Sequence, residues 1–452
     1  MLDTFIRLGR VQIVVAKKDK YAWLEGAPPP PLEEHSIVKH SIISEYIHRY
    51  ICTLLAGYAW DKLKISIVDG FAGGGKYTNI LNDSIESGSP FLILNSVQEA
   101  QAYLETKFER SKEVQAEYYF VEKNTEYFQF LTSEIAKSQH IEKLNRNLFL
   151  YNSSFHAVAD EIIKKISERN KAQRCLFVLD QFAYKDVPFQ YIKKVMTQLN
   201  NSEVLLTFGF ESLQSFLSDN IKSRSAMKRI GLEPYIDWNR LEELKRNGFW
   251  HHLIQEQLSL AIKTASGANH MTLFFIEPKK GWSYWLVHLS KQYKARSVMM
   301  DIHWDSANKF NGKFSHVIGD GLFGLGFKAS KVPKQATFEF DDVMEFDKDG
   351  QLRCVNALTK DLSRFIYNNQ PLTYQSLLAK IGDLTAATEG SIKEALQNLM
   401  NFKEVKIINN ETKVPRRTAK QVKANDILSY QQQSLFSFDD LKIMTSPPKR
   451  ET

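Results

Sequence analysis

Cysteine is scarce in this chain. Its 452 residues hold three, Cys52, Cys175 and Cys354, with no Cys-x-x-Cys and no Cys/His cluster. A disulfide framework and a thiolate zinc site are thereby disfavoured, and a reducing compartment is expected. Long apolar runs are missing as well. None approaches the ~20 residues of a membrane-spanning helix, and the opening "MLDTFIRLGR" lacks the apolar core of a secretory signal. The expectation is a soluble, cytoplasmic protein with no membrane partner. Two phosphate-binding fingerprints are also absent. The stretch "DGFAGGGKY" lacks the spacing Gly-x-Gly-x-x-Gly, and Lys76 is followed by Tyr77, not by the Ser or Thr of a P-loop. A nicotinamide oxidoreductase is disfavoured on that ground.

What remains is the make-up of an ordinary globular protein, 43% hydrophobic and 25% charged. The net charge of +7 is compatible with a polyanionic partner without demanding one. Length favours two or three domains. "EGAPPPPLEEH" is a proline-rich break, which makes residues 1–34 an arm. Beyond it, short β-branched or aromatic runs alternate with helical patterns. The strand candidates are "KISIVD", "EYYFVE", "NLFLYN", "CLFVLD" and "EVLLTF". Between two of them, Phe155, Val158, Ala159, Ile162, Ile163 and Ile166 recur at helical spacing. Such alternation predicts a parallel sheet covered on both faces, with ligands at the carboxyl ends of its strands. A helical insertion over 211–270 precedes a strand pair, "MTLFFIE" and "YWLVHLS". Five βα units closed by a hairpin predict the α/β sheet of a class I, Rossmann-like methyltransferase over 35–290.

Residues 291–360 have weak periodicity and read as a connecting region. Over 361–428 a short helix, then "GSIKEALQNLM", then strand, Asn409-Asn410 turn and strand predict a winged helix-turn-helix. Residues 429–452 read as a loose tail.

Candidate site residues cluster where strands end. Asp69 closes the first strand, and Gly70, Phe71, Gly73, Gly74 and Gly75 follow. Glycines here let a ligand, a helix N-terminus or simply a neighbouring element approach the backbone. An acidic residue ahead of them suits a sulfonium cofactor with its amino acid moiety. Glu122 ends the second strand, where a carboxylate can accept ribose hydroxyls. Asn152 ends the third, suited to an adenine edge. Asp180 ends the fourth, followed by Phe182 and Tyr184: a carboxylate for a target amine and aromatics to stack on a flipped base. Lys39 and His40 open a strongly apolar helix just before the glycine loop and could reach the same pocket. Two basic groups suit a nucleic acid: Lys222, Arg224, Lys228 and Arg229 in the insertion, and Lys413, Arg416 and Arg417 in the wing.

In order along the chain, "VKHSIISEYI", "VDGFAGGGKY", "ESGSPFLIL", "FVLDQFAY", "LLTFGFESL" and "PRRTAKQVKANDIL" make the sequence resemble the three-Cys-motif partner (TcmP) family. The resemblance spans roughly residues 35–425. It implies a Rossmann-like methyltransferase domain joined to a C-terminal winged helix, S-adenosylmethionine as cofactor, and a separate three-cysteine protein as partner. Gln181 stands where the family pattern has proline. Lys39-His40 with "DGFAGGGKY" also resembles a bacterial enzyme that methylates adenine N6 of large-subunit ribosomal RNA, over the first half only. The expected activity is methyl transfer to DNA or RNA at an exocyclic base amine. The rival is a methyltransferase-like scaffold that binds a ligand or partner without transfer. In the tail, Gln432, Ser434, Leu435 and Phe436 resemble the short peptide by which bacterial proteins dock on the DNA sliding clamp.

Overall fold

The computed structural model describes residues 22–57, 61–79, 82–108, 111–169, 171–181, 187–209, 217, 219–246, 250–276, 284–310 and 347–431. Phe182 and Tyr184, and the clamp-like Gln432, Ser434, Leu435 and Phe436, lie outside the described residues.

Strand β1 (Lys62–Asp69) sits at the centre of a seven-stranded sheet. A short ribbon of β2 (Lys76–Thr78) and β3 (Ile85–Ser87) follows it, separate from that sheet. On one side of β1 lie β4 (Glu113–Glu122) and then β5 (Leu148–Asn152). On the other lie β6 (Arg174–Leu179), β7 (Asn201–Gly209), β9 (Tyr284–Ser290) and finally β8 (His270–Ile276). All run parallel except β9, which is antiparallel to both neighbours. This order, with one reversed strand near the edge, is that of a class I methyltransferase sheet. The central strands are buried on both faces (Ile65, Ile67, Val68, Phe177, Val178 and Leu205 among them), and that is why they read as continuous apolar runs.

One face of the sheet carries α1 (Glu34–Leu55), α2 (Ser89–Lys107), α3 (Thr125–Ala136) and the later α9 (Tyr293–Phe310). The other face carries α4 (Phe155–Arg169), α5 (Phe189–Gln198) and the inserted helices α6 (Ile221–Ile230), α7 (Trp238–Arg246) and α8 (Trp250–Ser266). Local signals fix several starts. Pro90 lies in the first turn of α2, and the Asn124 side chain accepts the Glu126 and Tyr127 amides ahead of α3.

The expected connecting region is corrected. Helix α9 packs Val298, Met299 and Ile302 into the sheet's core. Helix α10 (Lys348–Asn368) already belongs to the C-terminal domain, so the boundary expected at 361 falls inside it. Asp347 caps α10 by accepting the Gly350 amide, and Cys354, Val355, Leu358, Leu362 and Ile366 form its buried stripe. After α10 come β10 (Leu372–Thr373), α11 (Tyr374–Ile381), α12 (Glu389–Asn401), β11 (Val405–Ile408) and β12 (Ile427–Tyr430). The three strands pair in the order β10-β12-β11, the winged helix-turn-helix plan. Met300 and Trp304 of α9 join that domain's core. Among the described residues no helix is long and apolar enough to cross a membrane.

Candidate cofactor and acceptor site

The chain leaves β1 toward β4 on one side and returns to β6 on the other, so the crevice at their carboxyl ends is the topological switch point. Asp69, Glu122 and Asp180 all stand there. Asp69 is 0% exposed. Its Oδ1 accepts the Phe71 amide at 3.1 Å; Oδ2 makes no hydrogen bond of good geometry, although the Ser89 hydroxyl lies close enough to the carboxylate to favour its charged form. Burial pushes its carboxyl up to about 7, against the pull of the Ser89 side chain and the Phe71 amide. The neighbouring charges of Asp180 and Glu122 push the same way. A buried carboxylate with a bare oxygen is costly unless a cation or donor meets it.

The glycine loop is pinned to the strands beside it. The Gly70 amide donates to Val178 O and the Ala72 amide to Val121 O, each at 2.9 Å. The Gly73 amide donates to Glu122 Oε2 at 2.9 Å, and Glu122 Oε1 accepts the Asn124 amide at 2.6 Å. Gly73 and Gly75 have φ of +58° and +78°, a backbone that only glycine adopts without strain. With the Asn124, Gly73 and Lys123 amides all acting on it, Glu122 keeps about one of its four lone-pair sites for a ribose hydroxyl. Burial nevertheless raises its carboxyl above the usual range, against three main-chain amides that lower it.

Asp180 already has a charged partner. Its Oδ2 is ion-paired with Lys39 Nζ, and both side chains are largely buried. Burial raises the Asp180 carboxyl, but Lys39 beside it, with His40 and Thr207, holds it below the usual range. Lys39 and His40, from α1, do reach the crevice, and His40 lies 5.9 Å from the Tyr77 ring. Gln181 has a structural task where a proline would have none. Its amide donates to Thr207 O at 3.2 Å and accepts the Val187 amide at 3.1 Å, tying the segment after β6 to β7.

Other expected residues are placed elsewhere or already engaged. Asn152 is already engaged: its side-chain amide donates to Glu122 O and Lys123 O, and its Oδ1 accepts from Thr125. It braces the β4–α3 turn. Arg224 pairs with Asp219 and Glu233 and lies over the Trp238 ring. Lys222, Lys228 and Arg229 are exposed along α6. Arg416 forms a two-pronged pair with Asp426 inside the wing, whereas Arg417 is exposed and Lys413 donates to Asn410. The sequence reading did not single out Trp23, Tyr77, Tyr127 or Thr207. Only the placement of an aromatic just ahead of the proline-rich break could have flagged the first.

Comparison with known proteins agrees with the C-terminal part of this architecture. Residues 330–411 match the model of the GMT-like wHTH domain. No curated protein matches the chain. Among solved structures, protein LPL1258 from Legionella pneumophila is 12% identical, with 62% of this chain and 94% of that one covered and a TM-score of 0.36. The plantazolicin methyltransferase BpumL in complex with SAH is 11% identical, with 56% and 85% covered and a TM-score of 0.27. Spermidine synthase in complex with the analogue AdoDATO is 11% identical, with 62% and 66% covered and a TM-score of 0.27. At such scores the likeness adds nothing to what the strand order itself carries.

Proposed function

We propose that the chain is an S-adenosylmethionine-dependent methyltransferase acting on nucleic acid, at an exocyclic base amine of the adenine N6 type. The observation that carries this reading is the convergence of Asp69, Glu122 and Asp180 at the switch point, with Asp69 Oδ2 buried and bare. That oxygen suits the cationic amino acid end of the cofactor, and the remaining acceptor capacity of Glu122 suits a ribose hydroxyl. Bound S-adenosylmethionine supplies an electrophilic methyl group on sulfonium. Asp180 accepts hydrogen bonds from the acceptor amine and holds its nitrogen in line, which is catalysis by positioning. Lys39 keeps Asp180 ionised for that task. Phe182 and Tyr184 stack on the base, and the exposed cations of α6 and the wing hold the backbone. The three-Cys-motif partner and the sliding clamp rest on sequence resemblance alone.

A second reading has its own observation. Asp180 is already neutralised by Lys39, and both Glu122 oxygens already take main-chain amides. A scaffold that binds the cofactor without transferring its methyl group would look the same. Calorimetry with S-adenosylmethionine and labelled-methyl incorporation into DNA and RNA separate the two. The expected outcome is micromolar binding, at least tenfold weaker in Asp69→Ala, which is about 1.4 kcal/mol. Asp180→Asn should abolish incorporation and spare binding. Binding by the wild type with no incorporation into either nucleic acid would favour the scaffold. No binding at all would sink the cofactor reading and leave a scaffold that docks a partner.

A further inference from the structure

The three glycines of 73–75 invite a ligand reading, yet a side chain of the same chain already lies against two of them. Trp23 is 5% exposed, although it belongs to the segment that leads into the proline-rich break. A Cβ at Gly74 would sit 2.2 Å from its indole, and one at Gly73 would sit 3.0 Å away. Real Cβ atoms do not come within 2.2 Å, so glycine at 74 is demanded by the tryptophan; at 73 the 3.0 Å approach is tight and the positive φ adds to the preference for glycine. The indole Nε1–H donates to Lys76 O. Tyr77 and Tyr127 box the ring edge-on, with centroids at 5.2 and 5.0 Å.

The segment behind it is strapped down. The Thr78 amide donates to Pro30 O and the Leu32 amide to Thr78 O, each at 2.9 Å. Thr78 Oγ1 donates to Pro29 O at 2.8 Å. Prolines have no N–H, so this strap uses their carbonyls and the stiffness of their φ. The consequence runs through the loop: the Gly73 backbone under the indole carries the amide that holds Glu122 Oε2.

We propose that Trp23 is a positioning residue of the cofactor site: its indole seats the glycine loop, and the loop's Gly73 amide sets the Glu122 carboxylate for a ribose. The segment from Trp23 to Leu32 is therefore part of the site. This inference rests on the cofactor reading above, and the test keeps their failures apart. Calorimetry is run on the full chain with S-adenosylhomocysteine and with its 2′-deoxy analogue, for wild type, Trp23→Ala and Trp23→Phe. The wild type should prefer the ribose form by about tenfold, the worth of a hydrogen bond to a carboxylate. Trp23→Ala should weaken S-adenosylhomocysteine about tenfold and bring the preference close to one. General loosening of the fold would not single out the 2′-hydroxyl. Trp23→Phe keeps a ring but loses the bond to Lys76 O, so its preference should fall by about threefold. This milder variant decides the matter should the alanine variant not fold. Wild-type affinity and preference in the substituted proteins would overturn the role of Trp23 alone. A wild type that binds neither compound would overturn the cofactor reading and this inference together.

Discussion

Asp69 shows how one buried oxygen can report on a ligand. Its carboxyl sits at about 7 because burial, and then the charges of Asp180 and Glu122, disfavour the ionised form. A cation placed against Oδ2 favours the ionised form and lowers that pKa. Binding near pH 7 should therefore release about half a proton, since about half of Asp69 is protonated there. Affinity should tighten as pH rises through about 7 and weaken again as the ligand's own ammonium loses its proton, near the ordinary α-amino value of about 8. Calorimetry in two buffers of unlike ionisation enthalpy reads the proton directly. Asp69→Asn should abolish the buffer dependence, and an unchanged one would place the cation elsewhere. Asp69, Glu122 and Asp180 were legible in the sequence because each ends an apolar strand, and strand ends in parallel sheets converge. What the sequence did not reveal is which partners were already taken. Lys39 on Asp180, Gln181 on Thr207 and Asn152 on the carbonyls of Glu122 and Lys123 are long-range pairings that local pattern does not encode.

At the scale of elements, the wing divides its cations between two tasks. Arg416 is spent on Asp426, whose side chain is buried and whose second oxygen also accepts the Lys423 amide. Asp426 falls below the usual carboxylate range chiefly through Arg416. Arg417, Lys420 and Lys423 are exposed on the same stretch, and these are the residues that can meet phosphates. Replacing all three with glutamine should flatten the salt dependence of duplex binding by nearly three units of slope, about 0.9 for each charge. Arg416→Gln should leave that slope alone and lower the thermal midpoint instead. A slope that follows Arg416 rather than the other three would reverse the assignment. Helix α12 adds little base readout. Its Gln397 accepts the Ala419 amide and its Asn398 donates to Thr359, so both amides serve the fold. Helices α11 and α12 and strand β11 were readable from period and turn residues, but the partner of β11 is Ile427–Tyr430 and not the stretch directly after Asn409-Asn410, which makes only a single bridge at Pro415. Helix α10 was not, because acidic residues and a glycine at its start resemble a loop until Asp347 is seen capping it.

At the scale of the molecule, the two domains are locked through the turn that a helix-turn-helix protein normally carries toward its target. Arg296 of α9, fully buried, donates to the carbonyls of Thr385 and Ala387, and the Trp304 indole donates to Ala386 O. Asp383 accepts from Met271 N, stands 3.4 Å from His270 Nδ1 and pairs with Lys263. The turn just ahead of α12, whose N-terminal end reads base edges in such domains, is thereby held against the other domain. Burial raises the Asp383 carboxyl, but His270 and Lys263 hold it below its ordinary value. A depressed folded pKa contributes stability that is full above the unfolded value of about 3.9 and is lost as pH falls through the folded one. The lock should weaken in acid on that account. Asp383→Ala leaves Lys263 and His270 without their carboxylate at any pH. Its cost should be about 2 kcal/mol, less than a fully buried pair because the Lys263 side chain is 30% exposed. Scanning calorimetry should then resolve the winged helix as a separate, earlier transition, with faster amide exchange over residues 382–388. A single undisplaced transition would mean that Met300 and Trp304 hold the domains together by apolar contact, with the ion cluster contributing nothing.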